Sequence, residues 1–285
     1  MARFYVGTSG WTYPRWAATF YAGVPRRDWL RYAASRFTAL EINATFYGLQ
    51  RRSTFERWRD ETPPDFAFAL KANRYLTHNR KLREPAEPIR RERERAEALG
   101  PKLKAVLWQL PEALRADLDR LRAFLDALAA GWPRVPHAIE FRHRSWFADA
   151  VADELRARDI AVCISDAADW PMWDAVTARI VYVRLHGHTR TYASAYHPRA
   201  LRRWAARARR WAAEGRDVHI YFDNDAEGAA PYDALRLLAF LGVRTPGSAP
   251  PDRRGTSRYE RAARPAGTPP PARGLPEYFC ERDRR

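Results

Sequence analysis

Short apolar runs alternate with segments of helical period along most of this chain. The runs fall at 4–6, 39–42, 66–70, 105–107, 138–141, 160–164, 180–183 and 218–222. Runs of this length between helical segments are the pattern of repeated βα units and a parallel sheet. The intervening segments keep one apolar face: Leu114, Leu118, Leu121, Leu125 and Leu128 align, and Leu201, Trp204, Ala208 and Trp211 oppose Arg202, Arg203, Arg207 and Arg210. Eight strands with helices between them, in about 240 residues, predict a TIM-type (β/α)8 barrel of parallel strands over residues 1–243. The stretch 166–179 has room for one short helix at most, and Pro171 interrupts it. An open doubly wound sheet is the alternative, but no Gly-x-Gly-x-x-Gly turn opens the chain.

Beyond residue 243 the pattern stops. Residues 244–285 are rich in Pro, Gly and Arg, with ten arginines against five acidic residues, and predict a disordered basic tail. The whole chain of 285 residues carries a net charge of +16, yet only four of its basic residues are lysines: Lys71, Lys81, Lys102 and Lys104. Basicity carried by arginine and spread over many helices is a weak sign of nucleic-acid binding. No apolar run approaches the roughly 20 residues of a membrane span, and no signal peptide opens the chain, so a cytoplasmic protein without membrane contact is expected. Cys163 and Cys280 are too few for a disulfide framework and too far apart for a zinc ribbon.

Functional groups of a barrel belong at the C-terminal ends of its strands, and polar residues gather there. Thr8, Ser9 and Trp11 follow the first strand; Glu41 and Asn43 the second; Lys71, Gln109, Glu140 with Arg142, Asp166, Arg184 with His186, and Asn224 the others. Residues two apart share a face of a strand, so Glu41/Asn43, Glu140/Arg142 and Arg184/His186 each aim into one mouth. Glu41, Glu140 and Asp166 beside Lys71, Arg142 and Arg184 would form a largely self-neutralising network. The turn 7–10 resembles an anion cradle as much as an ordinary tight turn. Aromatic loop residues such as Tyr13, Phe46, Trp170 and Tyr192 suit either stacking on a ligand or covering the core. No cofactor is predicted; a divalent metal held by Glu140, Asp166, His186 and His188 is the lesser option.

These residues fall in ordered blocks: Gly-Thr-Ser-Gly-Trp at 7–11, Glu-Ile-Asn-Ala-Thr-Phe-Tyr at 41–47, Lys-Ala-Asn-Arg from 71 with Thr77-His78, Gln-Leu-Pro at 109–111, Glu-Phe-Arg-His-Arg-Ser-Trp at 140–146, Arg-Leu-His-Gly at 184–187 and Tyr-Phe-Asp-Asn-Asp at 221–225. The series resembles the YecE-like family, domain of unknown function 72. That resemblance implies a TIM-type barrel with these blocks lining its mouth, and implies no established reaction or cofactor. Asp223 departs from the family, which more often has asparagine there.

Two functions follow as expectations. The first is an enzyme, a hydrolase or isomerase, acting on a small anionic or polyhydroxylated substrate such as a sugar, sugar phosphate or nucleotide derivative. Glu41, Glu140, Asp166 and His186 would carry acid/base chemistry; Lys71, Arg142 and Arg184 would hold the anion, with Thr8, Ser9, Trp11, Asn43, Gln109 and Asn224 around it. The second is a non-catalytic protein that binds nucleic acid through its basic surface and loop aromatics.

Overall fold

In the computed structural model, which describes residues 2–245, the apolar runs form β1 (Phe4–Thr8), β2 (Ala39–Ile42), β3 (Ala67–Lys71), β4 (Leu103–Gln109), β5 (His137–Glu140), β6 (Ala161–Ala167), β7 (Ile180–Gly187) and β8 (Asp217–Phe222). Every strand pair is parallel, and the order round the sheet is β1-β8-β7-β6-β5-β4-β3-β2. The tail expected from Arg244 lies, past Thr245, outside the described residues. Among the described residues no helix is long and apolar enough to cross a membrane.

The ring closes between β1 and β2, where the ladder is thinnest. Ser9 bridges Glu41, the Gly10 amide donates to the Glu41 carbonyl at 2.8 Å, and the Thr38 amide donates to Val6 at 3.1 Å. The Thr38 hydroxyl supplies what the strands do not, accepting from the Val6 amide at 2.8 Å and donating to the Phe4 carbonyl at 2.9 Å. Gly7 makes this approach possible: a Cβ there would stand 1.8 Å from the Ala39 carbonyl oxygen.

The helices are α1 (Trp29–Arg36), α2 (Ala44–Tyr47), α3 (Arg52–Asp60), α4 (Ala86–Ala96), α5 (Leu118–Gly131), α6 (Asp149–Ala157), α7 (Pro198–Ala213) and α8 (Ala230–Leu241). The structure corrects two expectations. Leu114 is buried but precedes α5, because the Asp117 carboxylate caps the Arg120 amide and starts the helix there. No helix joins β6 to β7. Around Pro171 the chain runs irregularly over 168–179 and then lies along β6, where the Thr177 hydroxyl accepts from the Val162 amide and donates to the Ile160 carbonyl.

Inside the barrel, bulk is unevenly shared. Ala39, Ala67, Ala69, Ala105, Ala138 and Ala161 line one side, while Tyr5, Tyr182, His219 and Tyr221 fill the space from the other. His219 stacks on Tyr5 at 4.5 Å and on Tyr182 at 5.7 Å. Small residues facing large ones is how a barrel interior packs without voids. Burial pulls His219 down to about 3, so it is neutral filling.

On the outside, the Leu201, Trp204, Ala208, Trp211 stripe of α7 is buried as its period predicts. The charged run along α4 forms Arg90–Glu94 and Arg93–Glu97 pairs, but Glu92 turns inward, where its carboxylate accepts from the Asn73 amide at 3.4 Å. Burial pushes Glu92 up to about 8.

Two outcomes follow. Gly7→Ala should lower stability by about 3 kcal/mol or more, because backbone rather than a flexible side chain occupies the space; chemical denaturation measures it. Glu92 binds its proton more tightly folded than unfolded, so its contribution is complete below pH ~4.3 and fades as pH rises toward 8. Glu92→Gln should therefore stabilise the protein at pH 8, by on the order of 3 kcal/mol, and leave it nearly unchanged at pH 4.

Candidate active site

Strand alternation sends a particular set of side chains to the C-terminal mouth: Ser9 after β1, Glu41 from β2, Glu140 with Arg142 after it from β5, Ser165 from β6, Tyr182, Arg184 and His186 from β7, and Asp223 after β8. Arg184, fully buried, is the hub. Its Nε and Nη2 donate to Glu41 Oε1 at 3.2 and 2.9 Å, Nη1 donates to Glu140 Oε2 at 2.9 Å, and Nη2 also reaches Asp223 Oδ2 at 2.9 Å and Ser9 Oγ at 3.1 Å. Glu41 further accepts from the Ser9 hydroxyl at 2.5 Å and the Tyr182 hydroxyl at 2.6 Å. Glu140 accepts from Gln109 at 3.0 Å, Arg142 Nε at 3.1 Å and the Ser165 hydroxyl at 3.3 Å.

These partners set the ionisation states. Burial alone would raise Glu140, but Arg184, Arg142 and His186 outweigh it and hold the carboxyl well below its usual range. Asp223 is likewise held low: Arg184, His186 and Lys71 outweigh its burial. Asp225 goes the other way, pushed up to about 7 by burial and then by the neighbouring Asp223 charge. Burial, and next the Arg184 charge, pull Lys71 down to about 8.

His186 lies between two of the carboxylates, with Nδ1 3.0 Å from Asp223 Oδ2 and Nε2 3.6 Å from Glu140 Oε1. Over it sits a roof. The Trp170 ring meets the imidazole edge-on at 4.9 Å, Tyr192 does so at 5.5 Å, and the Arg142 guanidinium stacks 4.2 Å from the Trp170 centroid. Arg142 Nη2 donates to the Tyr192 hydroxyl at 3.2 Å, and the Arg142 side chain keeps 19% of its surface exposed. A hollow of about 650 Å³ opens at the opposite end of the barrel, beside Tyr5, Lys104, Arg134 and Asp217. That end holds none of the clustered groups, and in barrels of this type it serves stability.

Of the residues singled out in the sequence, Ser9, Glu41, Gln109, Glu140, Arg142, Arg184 and His186 meet in this cluster. Lys71 borders it, its ammonium 4.0 Å from the centre of the Phe46 ring, and Asn43 sits beside the Tyr13 hydroxyl. Four lie elsewhere. Asp166 has the opposite parity to Ser165 and lines an outer crevice with His188, Arg203 and Trp204. The Thr8 hydroxyl donates back to the Gly10 carbonyl, and Trp11 packs outside the barrel against Trp58 and Phe68. Asn224 ties the Ser194 carbonyl to the Asp233 carboxylate.

Two expected roles change accordingly. The donors of Arg184 are consumed within the protein, so it has no edge left to clamp an anion. The metal set is not brought together, since Asp166 and His188 face away, the latter turned by Gly187 at φ 99°. Among the described residues no group of three or more His, Cys, Asp or Glu is arranged to hold a metal. Sequence reading missed Ser165 and Tyr182, and placed Asp223 at the mouth within the 221–225 block without giving it a role. Their signal was parity: each lies an even number of residues from an inward neighbour, Cys163, Arg184 and Tyr221.

The fold and its mouth define a TIM-type α/β barrel with a buried ionic cluster at the C-terminal ends of its strands. The chain belongs to the family described as protein of unknown function DUF72, whose model matches residues 5–255. It is similar to UPF0759 protein YunF of Bacillus subtilis (strain 168), with 25% identity over 86% of this chain and 97% of that protein. UPF0759 protein YecE of Escherichia coli (strain K12) is 27% identical over 55% of this chain and 54% of its own length. Among solved structures, a DUF72 family protein of Thermotoga maritima MSB8 superposes with a TM-score of 0.76 at 25% identity, covering 84% of this chain and 99% of that one.

Removing the hub strands three buried carboxylates. Arg184→Met should cost about 3–5 kcal/mol in chemical denaturation, although methionine fills similar space. Because Glu140 and Asp223 titrate below their unfolded values, their stabilisation is present above pH ~4 and is lost as the pH falls below it. Glu140→Gln should lower stability at pH 7 and flatten its fall between pH 5 and pH 2.

Proposed function

We propose that this protein is an enzyme that performs acid/base chemistry, hydrolysis or isomerisation, on a small anionic or polyhydroxylated substrate at the C-terminal mouth. One observation carries the reading. Within a cluster whose other charges are committed to one another, two cations keep capacity for a ligand. Arg142 Nη1 and Lys71 Nζ make no hydrogen bond among the described residues. Uncommitted cations side by side with a satisfied ionic network favour an anion as the missing partner.

The roles follow from position. Arg142, steadied by Glu140, Tyr192 and the Trp170 face, presents its free guanidinium edge to a phosphate or carboxylate. Asp223 Oδ2 lies 3.0 Å from Nδ1 of His186, and Nε2, 3.4 Å from Arg184 Nη1 and 3.6 Å from Glu140 Oε1, is the atom to receive or return a proton. Glu140, ionised in its ring of donors, favours the imidazolium that forms when His186 accepts that proton. Trp170 and Tyr192 exclude water once a ligand is seated.

Calorimetry with inorganic phosphate, citrate and a panel of sugar phosphates tests this reading. At least one anion should bind, and Arg142→Ala should weaken it tenfold or more, about 1.4 kcal/mol, without changing the circular dichroism spectrum. His186→Asn should spare that binding and abolish turnover of whichever compound is processed. If no anion binds the wild type at low salt, the reading fails.

A further inference from the structure

Lys71 and Lys102 make an instructive pair. Both are buried. Lys102 behaves as a structural lysine, its ammonium donating to the Arg59 carbonyl, the Thr62 carbonyl and the Thr62 hydroxyl at 2.5, 2.7 and 3.0 Å. Lys71 does not: its nitrogen rests on the face of Phe46 and donates to no oxygen among the described residues. The carboxylates whose charges reach it, Asp223, Glu140 and Glu41, are already taken up by Arg184, with Arg142 on Glu140 as well. An ammonium largely removed from water and without a protein acceptor is disfavoured, the Phe46 face returns only part of that, and the nitrogen keeps the contact with solvent that a substrate would need. The arrangement favours an amine that sheds its proton easily and has its lone pair unengaged, which is the condition for a nucleophilic lysine.

From this placement we infer that Lys71 is a nucleophile that forms an imine with a small anionic carbonyl compound, either a 2-oxo acid or an open-chain sugar phosphate, whose charged group is held by Arg142. The inference rests on the reading of the mouth as an anion site and adds the substrate's reactive group. The neutral amine, about a tenth of the population at pH 7 for a group titrating near 8, adds its lone pair to the carbonyl carbon. One nitrogen proton passes to the former carbonyl oxygen, giving a carbinolamine. A second proton, taken from the medium, converts that hydroxyl into water; the C–O bond breaks and the nitrogen lone pair closes the C=N bond. The product is a protonated imine plus one water, with no oxidant or reductant consumed. The positive charge ends on nitrogen over the Phe46 ring, where the ammonium lay before.

The chain's four lysines make the test selective. The purified full-length protein is incubated separately with pyruvate, glyoxylate, dihydroxyacetone phosphate and glyceraldehyde 3-phosphate, then reduced with sodium borohydride and mapped by peptide mass spectrometry. At least one compound should leave a reduced adduct on Lys71 at tenfold or more above Lys81, Lys102 and Lys104, with trapping that rises between pH 6.5 and 8.5. Which compounds react separates the 2-oxo acid from the sugar phosphate. Lys71→Arg, which keeps the charge, and Lys71→Met, which keeps the bulk, should both remove the adduct while their circular dichroism and melting stay cooperative. Anion binding that depends on Arg142 but leaves Lys71 unlabelled, or labelled no more than Lys81, overturns this inference and leaves the anion site standing. Absence of both binding and labelling overturns the two together.

Discussion

Arg184 and its three carboxylates are the constraint on which the upper half of the barrel depends. A guanidinium fully removed from water must place its N–H donors within hydrogen-bond reach of acceptors, and here those acceptors arrive from β2, β5 and the end of β8. No single pair of strands can satisfy it. The strands must therefore be closed into a ring, in register, before the charge is tolerable. That turns an energetically expensive group into a specificity device: a sheet left open at the β1–β2 seam would separate Ser9 and Glu41 from the fork and leave charges unpaired. The thin ladder at this seam, with Gly7 pressed against Ala39 and Thr38 standing in for strand hydrogen bonds, is consistent with closure being held as much by the ionic cluster as by backbone pairing.

The same cluster divides its members into two kinds. Glu41, Arg184 and Tyr182 saturate one another and are best understood as a scaffold. Arg142 and His186 sit at the boundary between this scaffold and the roof of Trp170 and Tyr192, and Lys71 borders it on the face of Phe46. Chemistry at a rigid, pre-ionised boundary needs little reorganisation when a ligand arrives, because the charges that would have to move are already pinned from behind.

Much of this was legible in the chain. Eight apolar runs, the α7 stripe and the pairs Glu140/Arg142 and Arg184/His186 follow from periodicity, since a period of two or 3.6 is imposed by backbone geometry whatever the fold. What escaped is equally physical. β4, β6 and β7 run past the apolar runs, to Gln109, Ala167 and Gly187, because polar residues there remain in strand when their partners lie across a barrel; hydropathy alone cannot separate such residues from a loop. Asp166 and Asn224 were one residue out of phase with the mouth, and a single step reverses a strand's facing. Arg184 looked like a ligand clamp, and its commitment to Glu41, Glu140 and Asp223 depends on contacts 39 to 143 residues apart.

The missing helix between β6 and β7 has a consequence for the entrance to the mouth. A connection without a helix of its own is anchored by scattered contacts: Trp170 on Ser165, Ala168 on Thr191, Arg207 on Asp174, and the Trp173 ring stacked on Phe147. Its last residues are tied into β6 through Thr177, whereas Trp170, nearer its start, packs against His186 and Arg142. A change of residue around Trp170 would therefore redraw the shape of the entrance while the buried charges beneath it stay fixed.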